Sequence, residues 1–473
     1  MATPALATNG YFSHGYGAKS KGRAGASTAF GQDAMVAATN PAGIRFVEDR
    51  IDVGVDIFKP KRGGSIRGNF FGPDEKYDGN KKETFYIPDF GYVARLNDRW
   101  SWAFTAIGHG GMNTRYSAEQ NPYARYGSEG QAGVDLAQLF LGPTIAYEYT
   151  QGQSVGLSVN YVYQMFEATG LSAFASTSFP GPYTNAPDYV TDNGHESSKG
   201  VSARLGWQGN FGPVSVGAGW APKVHMDEFT RYQGLFAQQG GFDIPETYAV
   251  GLAWRATSAI TIALDYQRIK YSDVDSVGNS ISQFQNPDGS TAFLAELPAD
   301  QLNNLLTGLN AGPSLLTLLD ALQNSPLGGT IENLSGPLSD ARYGNRLGGN
   351  NGPGFGWQNM SVVKLGVDYV WSPALTLRAG YSDTEQPVPE DETFFNILAP
   401  GVVEKHYTVG ATLTRGSHEF TMHALYAPRV DVKGSGSIPG DGPPIPPTSF
   451  GGGEADIYLE EKTLGISYGY RFN

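Results

Sequence analysis

Few residues in this chain stand at spacings that could do covalent chemistry. Gly17-Ala-Lys-Ser-Lys-Gly22 has the glycines and cations of a phosphate-binding loop, but Arg23 stands where that motif needs lysine and no strand leads into it. There is no His-Glu-x-x-His and no Gly-x-Ser-x-Gly, and the seven histidines are scattered. A hydrolase would need a serine, a histidine and an orienting polar group side by side, and nothing in the sequence marks such a set. With no cysteine, thiolate metal sites and a disulfide framework are both excluded, which suits a chain that crosses an oxidising periplasm. Neither an enzyme nor a cofactor or metal site is expected. The net charge of −13 argues against a nucleic-acid partner. What remains is a set of cations, Arg204, Arg255, Lys364, Arg378 and Arg471, each on the face of its alternating segment opposite the large apolar side chains. Such a cation can pair with a carboxylate, either of the protein or of a ligand. Arg378 should lie opposite Asp368 across a hairpin near 370–375, so that pair reads as structural. Of the other four, Arg204 and Lys364 are the candidates for meeting an acidic ligand.

The elements that must position these cations are strands. From residue 50 onward, segments of about ten residues carry apolar side chains at every second position. In 155–165, Val155, Leu157, Val159, Tyr161, Tyr163 and Met165 share one face, and Gly156, Ser158, Asn160 and Gln164 share the other. The segments 260–267, 407–414 and 463–472 do the same. The apolar face is large and aromatic, and the other is small and wet. A soluble sandwich would show solvated Lys and Glu opposite its core face. The small polar face suits a barrel with lipid outside and water or a plug inside. Six connections are short (95–100, 149–154, 207–213, 254–259, 370–375, 414–420), and seven are long (61–81, 110–137, 169–197, 223–244, 272–358, 385–401, 432–454). Thirteen connections imply fourteen antiparallel strands, with both termini at the short-turn, periplasmic side. Trp100, Trp207, Trp254 and Trp371 sit at short-turn ends and read as an interfacial girdle. No apolar run is long enough for a transmembrane helix. The opening Met-Ala-Thr-Pro-Ala-Leu has no basic or apolar leader region, so the chain reads as a mature, exported form.

A barrel of about fourteen strands is too wide to be filled by its own side chains. Residues 1–49, rich in Gly and Ala and poor in large aliphatics, are suited to plug it, with 50–473 forming the wall. The stretch "GYGAKSKGRAGASTAFGQDAMVAATNPAG" closely resembles the N-terminal hatch of FadL-type outer-membrane channels for long-chain fatty acids and other hydrophobic compounds. Asn40-Pro41-Ala42 matches the hatch motif of that family. The loop "LFAQQGGFDIPETYAVGLAW" (235–254), the terminal aromatic strand and the strand count are also similar, so the resemblance covers nearly the whole chain. Two departures stand out. The chain ends Phe472-Asn473 rather than on the aromatic, and the connection 272–358 is longer than the family pattern.

The resemblance implies uptake of long-chain fatty acid through the bacterial outer membrane by a monomeric channel set among outer-membrane lipid and lipopolysaccharide. Aromatic or aliphatic hydrocarbon uptake within the same family is the alternative, and a general porin is a more distant one. It implies that Phe229, Tyr232, Leu235 and Phe236, at helical spacing in 226–240, contact ligand at the channel mouth. It also implies an inward kink in the third strand, "WSWAFTAIGHGGMNTRY" (100–116), placed by Gly108, Gly110 and Gly111. The plainer alternative is that these glycines begin the following loop. Residues 298–322 carry leucines at helical spacing and read either as two helices packed together or as an exposed groove that captures a greasy ligand. The acidic cluster Asp383, Glu385, Glu390, Asp391 and Glu392 reads as a solvated outer face, with divalent-cation binding near lipopolysaccharide as the sharper alternative.

Overall fold

Alternation becomes architecture in a closed antiparallel sheet. The computed structural model describes residues 8–175, 183–284, 346–440 and 450–472. Within them the wall is made of fourteen strands. These are β1 (Arg50–Arg67), β2 (Phe85–Arg95), β3 (Trp100–Arg115), β4 (Gly133–Thr150), β5 (Gln153–Thr169), β6 (Glu196–Phe211) and β7 (Val214–Ala221). They continue as β8 (Thr247–Arg255), β9 (Ile260–Ile269), β10 (Met360–Ser372), β11 (Leu375–Thr384), β12 (Lys405–Arg415), β13 (His418–Val432) and β14 (Glu454–Arg471). Each pairs with its sequence neighbours, and β14 returns to β1 in an unbroken ladder from Arg50↔Arg471 to Arg67↔Glu454. The leucine-rich stretch 298–322 lies outside the described residues.

The two faces divide as the side-chain chemistry requires. On β5, Val155, Leu157, Val159 and Tyr161 are exposed on the outer surface, while Ser154, Ser158, Asn160 and Gln164 are buried inside. Trp100, Trp254 and Trp371 are exposed at the short-turn end, and the Trp207 indole donates to the Tyr149 hydroxyl at 3.0 Å. Asp368 and Arg378 are cross-strand partners, 3.2 Å apart, so that pair is structural.

Residues 8–44 fill the interior and are nearly all buried. Their secondary structure is slight: a helix at Ala18–Lys21 and 3-10 turns at Ala34–Ala38 and Pro41–Phe46. A segment this poor in bulky residues cannot hold itself together, and the wall supplies its partners. Lys19 pairs with Glu419 on β13 at 2.6 Å, Lys21 with Asp56 on β1, and Arg23 with Asp368 on β10 at 3.2 Å. Asp265 on β9 accepts from the Ser27 and Thr28 amides, each at 2.8 Å. Thr8 gives its amide and hydroxyl to Glu461 on β14 at 2.9 and 2.7 Å.

Candidate functional site

Asn40 caps the turn Pro41–Phe46, its side-chain oxygen accepting from the Ala42 amide at 3.1 Å. Its amide nitrogen donates to Thr28 O at 2.7 Å and to Trp207 O on β6 at 2.9 Å. One side chain therefore joins two parts of the interior segment to the wall. Ala42 O accepts from Ser154 Oγ on β5 at 2.9 Å. The approach is close because β6 has a glycine here: a Cβ on Gly206 would stand 2.1 Å from Asn40 Oδ1.

The wall is not uniform beside this segment. The β2–β3 ladder runs from Arg95↔Ser101 to Asp89↔Ile107 and stops. Pro88, which has no N–H to give a ladder, immediately precedes Asp89. Beyond Ile107, β3 keeps its pairing with β4 through Gly133↔Arg115, but with a one-residue bulge at His109, between Gly108↔Leu139 and Gly110↔Gln138. The strand continues past the glycines to Arg115, so they do not begin a loop. Its free edge meets the interior segment: Gly110 bridges to Phe12, and the Gly111 amide donates to Tyr11 O at 3.0 Å. The His109 ring stacks on Phe140 (centroids 4.1 Å apart) and meets Phe12 edge-on at 4.4 Å. At the far end of the gap, Asn80 bridges in parallel to Arg115.

Toward the long-loop end lies an almost wholly apolar cavity. Leu235, Phe236, Phe166, Phe174, Phe355 and Phe395 are among its lining residues. Of the ligand-contact candidates, Leu235 and Phe236 line this cavity, while Phe229 and Tyr232 are fully buried behind it against Phe166. The stretch 226–240 is not a continuous helix. It is turns ending in Ala237–Gly240, where Gln238 and Gln239 adopt left-handed backbone (φ 54 and 56°). Their amides donate to Gly349 O and Gly348 O at 2.9 and 3.1 Å, which holds that conformation.

A second cavity, between the wall and the interior segment, is lined by Phe12, Ile107, His109, Asn160, Ser202 and Arg204. Arg204 makes no ion pair or hydrogen bond among the described residues. Lys364 is differently placed: its ammonium donates to His14 O at 2.9 Å and to Gln267 Oε1 at 2.8 Å, so it is engaged by the interior segment. In the acidic cluster, Glu392 is buried and accepts from the Ile281 amide at 2.9 Å and from Ser280 Oγ, clamping one outer loop to another. Burial raises its carboxyl pKa above the ordinary range. No grouping among the described residues could hold a metal ion.

Residues 1–297 match the family model described as outer membrane protein transport protein (OMPP1/FadL/TodX). The chain belongs to this family. The FadL/TodX-type protein is thus an outer-membrane transport channel for hydrophobic compounds, not an enzyme. Its fold is similar to the Pseudomonas putida toluene transporter TodX, with 16% identity over 97% of this chain and 99% of that one and a TM-score of 0.57. A Pseudomonas aeruginosa FadL homologue shares 15% identity over 98% of this chain and 100% of its own, with a TM-score of 0.59. The Ralstonia pickettii toluene transporter TbuX shares 14% identity over 97% and 99% of the two chains, with a TM-score of 0.57. Comparison with curated protein sequences finds no match.

Two residues of the FadL/TodX-type wall escaped sequence reasoning. Pro88 carried a readable signal, a proline inside an alternating segment. Arg62 carried none, because it falls where a loop was expected to begin.

Proposed function

We propose that this channel takes up long-chain fatty acids, with residues 1–49 as its hatch and a sideways exit beside β3. Arg204 carries the reading. Its guanidinium lines a cavity that also touches Ile107 and His109 at the break in the wall, and among the described residues no carboxylate pairs with it. A hydrocarbon has no use for such a cation. A carboxylate does, through charge-assisted hydrogen bonds. The ligand first enters the apolar cavity at Leu235 and Phe236, then moves inward until its head reaches Arg204.

Sideways exit follows from solvation. Leaving an apolar phase for water costs about 0.8 kcal/mol per methylene, so a long acyl chain entering periplasmic water faces roughly ten kcal/mol. The gap between β2 and β3 leads instead into the bilayer. One chain closes both the seam and the lumen, so a monomer suffices.

Hydrocarbon uptake is the second reading, favoured by the apolar lining of the outer cavity. Uptake of labelled oleate and toluene by cells carrying Arg204→Gln separates the two. A hydrogen bond to a charged group contributes about 1.5–3 kcal/mol. Oleate uptake at limiting concentration should therefore fall by about tenfold or more, and toluene uptake should not change. An equal effect on both, or none on oleate, would remove the acidic ligand from this proposal.

A further inference from the structure

Above Phe58, β1 has lost β2 as its partner, and on that edge it meets the small hairpin strand Glu75–Asp78 from Gly63 onward. Arg62 lies between these two stretches and is 1% exposed. Its Nε donates to Asn113 O on β3 at 2.8 Å. Its Nη2 donates both to Asn113 Oδ1 and to Lys82 O, each at 2.7 Å. Nη1 reaches Pro60 O and Asn80 Oδ1, each at 3.3 Å. The Arg62 backbone adds an N–H bond to Asn80 Oδ1 at 2.9 Å and accepts from the Gly79 amide at 3.1 Å. One guanidinium thus joins β1, the segment leading into β2, and β3.

Those are the edges of the wall gap at its outer end. Beside Arg62, two backbone bonds at Arg115, of 3.0 and 3.1 Å, join the 79–82 segment to β3. Arg62 forms no ion pair among the described residues. The guanidinium lies over the Phe85 ring, 5.7 Å from its centroid, and hydrogen-bonds only to neutral oxygens among the described residues. A buried guanidinium without a paired anion is costly to desolvate, and a merely structural tie could be made by a neutral side chain. The planar fork of arginine suits a latch across diverging edges, because it presents donors in several directions at once.

We infer that Arg62 fixes the outer end of the opening beside β3 and so sets the widest molecule that can leave through it. This rests on the sideways exit proposed above. Arg62 is a positioning residue, and its signature is selectivity by width rather than total flux. The test measures uptake of palmitate and of a pyrene-tipped fatty acid by cells carrying Arg62→Met, with barrel folding checked by heat-modifiable gel mobility. The ratio of wide to slim probe should rise several-fold. Asn113→Ala leaves the guanidinium in place and removes its side-chain acceptor on β3, so it should raise the ratio in the same direction but less. In the Arg62→Met background, a cysteine pair from Lys82→Cys and Asn113→Cys should restore the wild-type ratio when oxidised and not when reduced. The chain has no other cysteine to interfere. Deletion of His109 together with Pro88→Ile, which removes the bulge and the proline where the β2–β3 ladder stops, tests the exit itself. If it leaves uptake of both probes unchanged, the sideways route is wrong. If it blocks both while Arg62→Met and Asn113→Ala keep the wild-type ratio, the route stands and the latch is wrong.

Discussion

Asn40 shows how a short polar residue can seat a segment that has no core of its own. Asn40 is fully buried and bonds to Ala42, Thr28 and Trp207, and losing it there leaves unsatisfied polar groups at about 1–3 kcal/mol each. Asn40→Ala should therefore loosen the hatch while the barrel still assembles, seen as faster proteolysis within residues 8–49 and reduced uptake. Wild-type protection and uptake in a folded variant would remove this role. His14 gives the hatch a pH dependence. Burial foremost, then the charges of His406, Lys21, Lys364 and His423, holds its pKa well below the ordinary histidine value. Its ring lies 5.4 Å from that of His406 on β12. A depressed pKa means that the released segment binds the proton more readily than the seated one. Its contribution to seating is thus complete above about pH 6.5 and is lost as pH falls toward the depressed value. Hatch protection should weaken on mild acidification, and His14→Gln should flatten that dependence. Equal acid sensitivity in the variant would assign the effect elsewhere. Asn40-Pro41 was legible in the sequence because cap and proline are local signals. Arg62 was not, because its role depends on three segments that meet only in the folded wall.

At the scale of elements, strand order and register followed from alternation, since a one-residue slip would turn every apolar side chain into the lumen. The hairpin expected near 370–375 turns between Ser372 and Leu375. The stretch after Gly108 was ambiguous, because glycines carry no alternation to read. What keeps it a strand is non-local: β4 on one side and Tyr11–Phe12 of the hatch on part of the other. Straightening β3 therefore needs the bulge removed, not only glycines replaced. A side chain at Gly110 would stand 2.7 Å from Tyr11 O and push the hatch instead. Deletion of His109 combined with Pro88→Ile should extend the β2–β3 ladder, slow hydrogen exchange at residues 108–112, and stop uptake with the barrel folded. Full uptake despite that protection would place the exit elsewhere.

For the whole molecule, the closed ladder predicts resistance to unfolding. A sheet in which every strand is paired on both sides over at least part of its length offers no end strand from which to unzip. The unboiled protein should migrate differently from the boiled one on a denaturing gel, and identical mobility from a folded detergent sample would contradict the closed wall.

The spokes from hatch to wall also constrain the order of biogenesis. Thr8 is held by Glu461 on β14, while Lys21 and the Ala34 amide are held by Asp56 and Asp52 on β1. These anchors lie on the two strands that meet at the seam, one at each end of the wall sequence. The Thr8 anchor must therefore wait for the last strand before it is complete. Plug docking and seam zippering should thus be a single kinetic event. Protease protection of the N-terminus and heat resistance of the barrel should then appear at one rate, and a plug that became protected well before the seam closed would separate them.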